Sequence, residues 1–225
     1  MTEARLHVLD DPAHAVGELL AAAAGRGEAI VLTGGSTPGR AYELAAAAEV
    51  DWGHASVWWG DERCVPPGDA RSNFGLARRT LFDRLARMPA VHRVRGELPA
   101  ADAAREYDEA LAGVELDLLL LGLGTDGHVA SLFPGSPQLA ERERRATSGP
   151  AGLEPFVDRV TMTLPTLLSA RRIVVLVTGA GKAAAVESAF AGEIDEQVPA
   201  SLLRRAEAPL DVYLDPAAAG RGQTP

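Results

Sequence analysis

Residues 116–123 read Leu-Asp-Leu-Leu-Leu-Leu-Gly-Leu, and residues 172–179 read Arg-Ile-Val-Val-Leu-Val-Thr-Gly. Apolar runs this short and unbroken, closed by glycine, read as strands covered on both faces. Such strands belong to parallel sheets, whose crossover helices supply the cover. Other β-rich runs at 5–9, 29–34, 55–62, 91–94, 158–164 and 210–215 alternate with helix-length segments at 10–26, 37–48, 72–86, 99–113 and 181–192. The pattern predicts an α/β chain: a mostly parallel, Rossmann-like sheet with helices on both faces. No repeat and no Pro- or Ser-rich linker interrupts it. Residues 1–216 therefore read as a single domain and 217–225 as a frayed tail. Residues 135–157 carry no clear pattern.

With 225 residues, 47% of them hydrophobic, the chain can bury a full core without staples. The single cysteine, Cys64, excludes an intramolecular disulfide. Residues 1–10 lack the basic start and apolar core of a signal peptide, and no apolar run approaches the ~20 residues of a membrane span. A cytoplasmic protein is expected, acting as a monomer or small homo-oligomer. The net charge of −9 argues against nucleic acid or an anionic membrane as partner. An anionic small molecule would need positive charge gathered locally.

In sheets of this kind ligands bind at the carboxyl ends of the strands, so the segments after the strands are where chemistry is expected. After 29–33 comes Gly34-Gly35-Ser36-Thr37-Pro38, opening a helix. Glycines that turn tightly, two hydroxyls and a helix N-terminus suit a phosphate; the same residues also make a plain glycine turn with a hydroxyl cap. After 55–60 come Asp61, Glu62 and Arg63, either a solvated turn or a polar cluster facing a ligand. Ser72 or Asn73 is a candidate cap for the helix that follows. After 116–121 comes Gly-Leu-Gly-Thr-Asp-Gly-His, residues 122–128. Its glycines let the backbone approach a ligand and leave N–H groups for an oxyanion. Asp126 beside His128 orients an imidazole and favours its cation, which suits a general base; the alternative is a loop histidine satisfied locally. After 172–177 comes Thr-Gly-Ala-Gly-Lys, 178–182, again opening a helix. Lys182 is the one lysine among 22 basic residues, which singles it out where a compact ammonium is wanted. The remaining histidines show no metal-ligand spacing and no Cys/His cluster exists, so no metal is expected.

The blocks LTGGSTP, WWGDERCVP with a following SN, DLLLLGLGTDGHVASLFPGSP, TMTLPTLLSARRIVVLVTGAGKAAAV and PASLL, spread over residues 29–203, together resemble the 6-phosphogluconolactonases. The resemblance implies hydrolysis of a phosphorylated sugar lactone without a cofactor. It implies His128 and Asp126 as the catalytic pair, with Gly34, Gly35, Ser36, Thr37, Asp61, Arg63, Asn73, Gly124 and Lys182 binding substrate. In the related amino-sugar phosphate deaminases a glutamate stands five residues after the histidine; here that residue is Phe133, which favours simple lactone hydrolysis over deamination. Val129 departs from the threonine common after the histidine, and Arg71 stands at a variable position. A sugar-phosphate sensor on the same scaffold is the non-enzymatic alternative. On this reading His128 activates water, loop amides of 122–127 with Arg63 hold the oxyanion, and Ser36, Thr37 and Lys182 grip the phosphate. His128 and Lys182 are then expected on opposite walls of one cleft.

Overall fold

The computed structural model describes residues 2–221. Seven strands form one sheet: β1 (Ala4–Val8), β2 (Ala29–Leu32), β3 (Ser56–Trp59), β5 (Ala90–Val91), β6 (Leu118–Leu121), β9 (Ile173–Val177) and β10 (Leu210–Leu214). Their order is β1-β10-β9-β6-β2-β3-β5, and every pairing is parallel. From β2 the chain moves to β3 on one side; from β6 it moves to β9 on the other. The strand order therefore reverses between β2 and β6, and a crevice opens there at their carboxyl ends.

The leucine run of β6 explains why it must be central. Leu119 and Leu121 enter one core, Leu118 and Leu120 the other. The second core is closed by α1 (Pro12–Gly25), α2 (Ser36–Ala47) and α3 (Asn73–Thr80). The first is closed by α4 (Ala100–Ala110), α5 (Leu164–Leu168) and α6 (Ala183–Phe190). Helix starts follow the local chemistry. Asp11 accepts from the His14 amide at 3.3 Å and Pro12 occupies the first turn of α1, where a missing N–H is harmless. Ser72 caps α3, its Oγ accepting from the Gly75 amide at 3.0 Å.

Two features depart from the sequence pattern. The run 55–62 breaks at Gly60, and β4 (Asp61–Arg63) leaves the main sheet. It pairs antiparallel with β8 (Arg159–Met162), which pairs antiparallel with β7 (Ala146–Gly149), inside the unpatterned stretch. All four residues of β8 are buried, whereas its alternation reads as half-buried, because α4 packs on this small sheet. The tail expected at 217–225 divides: residues 217–220 form a turn with Ala218 buried, and 222–225 lie outside the described residues.

Two buried tyrosines fix where strands leave the sheet. The Tyr42 hydroxyl accepts from the Thr33 amide (2.9 Å) and donates to the Thr33 carbonyl (2.6 Å). The Tyr107 hydroxyl does the same for Trp59 (2.7 and 2.9 Å). Both backbone groups lie just past or at a strand end, where ladder partners run out. The loops that begin at Gly34 and Gly60 thus start from fixed points. Among the described residues no helix is long and apolar enough to cross a membrane.

Candidate active site

The crevice holds a cavity of about 350 Å³ lined by the segments after β2, β3, β6 and β9, by β8 and by residues 153–154. Every residue assigned to the site from the sequence except Asp126 lines it directly; Asp126 stands behind His128.

His128 Nδ1 and Asp126 Oδ1 lie 2.6 Å apart, and the His128 amide donates to the same oxygen at 3.2 Å. One ring nitrogen is thereby oriented and Nε2 is left to act. The pair is partly exposed, 23% and 29% for the side chains, so water reaches it. The ring packs on Phe133, centroids 4.6 Å apart. Gly124 is required by the imidazole: a Cβ there would lie 2.0 Å from His128 Nδ1. Gly127 adopts φ +82°, a left-handed conformation that glycine reaches without strain. Ala130, also lining the cavity, adopts φ +50°, strain of ~1 kcal/mol or more for a non-glycine residue. The tight turn it makes brings Ser131 round to Asp61.

Two of the loop's three glycine amides are engaged within the loop itself, and so are not offered to an oxyanion. The Gly124 amide donates to the His128 carbonyl (2.9 Å) and the Gly127 amide to the Gly124 carbonyl (3.1 Å). Both N–H groups are spent on holding the loop shut.

Asp61 is 7% exposed. Ser131 Oγ donates to its Oδ2 at 2.6 Å, and Asn73 Nδ2 donates to its carbonyl (2.8 Å) and Oδ1 (3.3 Å). Asn73 also packs on the Gly34 turn, where a Cβ on Gly34 would meet its Oδ1 at 2.0 Å. Strand alternation turns Glu62 away from Asp61 and Arg63, under the start of α3. Glu62 accepts from Ser72 Oγ (3.1 Å) and from the amides of Arg63 (2.7 Å), Asn73 (2.8 Å) and Phe74 (2.8 Å). Burial pushes its carboxyl up, against the three amide donors. Glu62 therefore fastens β4 to α3 and sets the Asn73–Asp61 contact. The sequence shows Glu62 only as one acid in a polar cluster; apart from the Arg63 amide, its partners are ten or more residues on.

The cations come from three elements. Arg63 stands opposite Arg159 across the β4–β8 ladder. Among the described residues neither forms an ion pair; Arg63 donates to the Arg71 carbonyl (2.6 Å) and Arg159 to the Pro155 carbonyl (3.1 Å), and both Nε atoms are buried without a partner. Two adjacent guanidiniums with spare donors call for an anion. Arg159 is not legible as a site residue in the sequence, because its link to Arg63 is an antiparallel register that the local pattern does not encode. Arg71 itself is tied to Asp69 at 2.7 Å on the exposed loop and does not line the cavity.

Ser36 and Thr37 open α2 after Gly35 at φ +110°. Thr37 and Thr178 share a hydrogen bond between hydroxyls at 2.7 Å, joining the turns after β2 and β9. Lys182 does not face His128 from the opposite wall. Its ammonium donates to the Leu123 carbonyl at 2.7 Å, so it sits on the loop that carries the histidine. Burial lowers its proton affinity and the nearby Asp126 carboxylate opposes that. Among the described residues no group of three or more His, Cys, Asp or Glu side chains is placed to hold a metal ion.

Residues 7–212 match the family described as glucosamine-6-phosphate isomerases/6-phosphogluconolactonase. The chain is 38% identical to the 6-phosphogluconolactonase of Mycobacterium tuberculosis, covering 83% of this chain and 82% of that protein. It is 38% identical to that of Homo sapiens, covering 85% and 79%. Its fold superposes on the crystallographic 6-phosphogluconolactonase of Thermotoga maritima with a TM-score of 0.84 at 26% identity, over 95% of this chain and 100% of that one. A monomeric glucosamine-6-phosphate deaminase, 20% identical, reaches a TM-score of 0.86 over 97% and 99%; at that identity the likeness is one of fold.

Proposed function

The chain belongs to the glucosamine-6-phosphate isomerase and 6-phosphogluconolactonase family, and from that footing we propose that it is a 6-phosphogluconolactonase. It hydrolyses 6-phosphoglucono-1,5-lactone to 6-phosphogluconate in the pentose phosphate pathway, as a cytoplasmic enzyme acting on a small molecule. The observation that carries this reading is one cavity holding an Asp-oriented imidazole and three cations that, among the described residues, form no ion pair.

His128 Nε2 takes a proton from water as the oxygen attacks C1 of the lactone. Asp126 keeps the ring oriented and stabilises its cation. The charge that develops on the carbonyl oxygen is met by Arg63 with Arg159 beside it, since the Gly124 and Gly127 amides are already engaged. The C1–O5 bond then breaks, and the imidazolium returns its proton to the departing ring oxygen. Asp61 and Asn73 face the sugar hydroxyls. Ser36, Thr37, the N-terminus of α2 and Lys182 hold the 6-phosphate.

The closeness of Lys182 to the histidine loop suits this substrate. In a δ-lactone C1 and C5 share the ring oxygen, and the phosphate arm leaves from C5. The reacting carbon and the phosphate are therefore neighbours across that oxygen, not opposite ends of the sugar. The expectation of opposite walls treated the substrate as a rod.

Freshly prepared lactone in an assay coupled to 6-phosphogluconate oxidation should give enzyme-dependent turnover well above spontaneous hydrolysis. Glucosamine 6-phosphate should release no ammonia, because an aromatic ring, Phe133, packs on His128 where a deaminase needs a carboxylate. Ammonia release without lactone turnover would replace this function with the deaminase reading.

A further inference from the structure

The loop that carries the base is fastened in three ways. Internally, Gly124 and Gly127 donate to the carbonyls of His128 and Gly124. At its far end the Ala200 amide donates to the Gly127 carbonyl at 2.8 Å, and Val198 packs so closely that a Cβ on Gly127 would lie 2.8 Å from its Cγ1. At its near end the tie among the described residues is the Lys182 ammonium on the Leu123 carbonyl, 2.7 Å. The hydrogen bonds of the first two ties are backbone to backbone. The third depends on one side chain that also lines the cavity.

The turn behind Lys182 is itself held. Asp215, just past β10, accepts from the Gly179 amide with both oxygens (3.1 and 3.0 Å) and from the Ala218 amide at 2.7 Å. On the other side Thr178 is bonded to Thr37. Lys182 thus reaches from a braced turn to a carbonyl one residue before Gly124, the glycine against which the imidazole rests. An ammonium has three N–H donors; one is used on Leu123 and two remain for a ligand.

We infer that Lys182 is a positioning residue for His128 in addition to a phosphate ligand: its ammonium holds the Leu123–Gly124 backbone, and through it the imidazole, in reacting position. The inference rests on the function proposed above and concerns the same site. It joins the grip on the phosphate to the placement of the base, so that an ammonium drawn toward a bound dianion also tightens the loop it spans. A lysine that only binds phosphate contributes to ground and transition states alike and acts on KM; one that sets the base acts on kcat as well.

Lys182→Met keeps the stem and removes the ammonium. Saturating phosphorylated lactone should show kcat lowered by roughly 10-fold or more, as misplacement of a catalytic group predicts, together with a raised KM. In the ligand-free variant, amide exchange across residues 123–128 should be faster than in the wild type, a reading that needs no substrate. A raised KM with kcat within about twofold of wild type, or unchanged exchange in that loop, would overturn the inference while leaving the lactonase assignment intact. Failure of the wild-type protein itself to hydrolyse the lactone would remove the assignment instead.

Discussion

The two ends of the seven-stranded sheet handle positive charge in opposite ways. At the amino end Asp211, near the start of β10, is 1% exposed and gathers three basic partners: Arg5 at 2.9 Å, His7 at 2.8 Å and Arg172 at 3.0 Å. Burial pushes its carboxyl up, but the hydrogen bonds from His7, Arg172 and Arg5 outweigh that and hold it below the usual carboxylate range. At the carboxyl end, among the described residues, Arg63 and Arg159 stand side by side without an ion pair, and the Lys182 ammonium is bonded to a carbonyl and to no carboxylate. Burial lowers the proton affinity of Arg159; Asp61 opposes the effect and Arg63 adds to it. Charge at one end is neutralised for the fold. At the other it is left uncompensated, which is worth its cost only if a ligand brings the missing anion.

The contrast can be broken at either end. The largest effect belongs to His128→Ala, which should lower kcat for the lactone by about 10²–10⁴-fold, the range for a positioned acid/base. Steady-state kinetics would show it, and near wild-type turnover would take His128 out of the mechanism. Gly124→Ala should cost roughly 10–100-fold in kcat by displacing the imidazole, with KM little changed, because the added methyl meets Nδ1 and not the substrate. At the amino end the ordering reverses. Asp211→Asn should leave kcat and KM unchanged and lower stability by about 1–3 kcal/mol, the cost of losing a buried charged acceptor. Because the folded carboxyl is held low, that contribution is present above the unfolded value near ~3.9 and is lost as pH falls through the lowered folded value. Denaturation of wild type and variant should therefore converge in acid and separate at neutral pH.

What the sequence makes legible, and what it hides, follows the range of the interactions. The strands buried on both faces announce themselves because Leu118–Leu121 and Ile173–Val177 are unbroken apolar runs. Asp126 and His128 are found because the pair closes within one short loop, ringed by glycines that the loop geometry needs. The small antiparallel sheet escapes notice because β4 is three residues long and polar, and its partners are far along the chain. With it go Arg159, Ser131 and the clamping role of Glu62, each defined by contacts made only after β4 and β8 pair. Lys182 lines the cavity from the turn after β9, yet its seat on Leu123 is a tertiary fact, and the opposite-wall expectation fails there.

The claim that the carboxyl-end cations are kept for a phosphorylated ligand has a direct test in the thermal denaturation of wild type and Arg159→Met, each with and without 6-phosphogluconate. Without ligand the variant should melt no lower than the wild type, since it removes a buried cation whose Nε has no partner and whose neighbour is a like charge. With ligand the wild type should rise and the variant should rise far less. A variant that is less stable when empty, and is stabilised by the product as much as the wild type, would contradict the account.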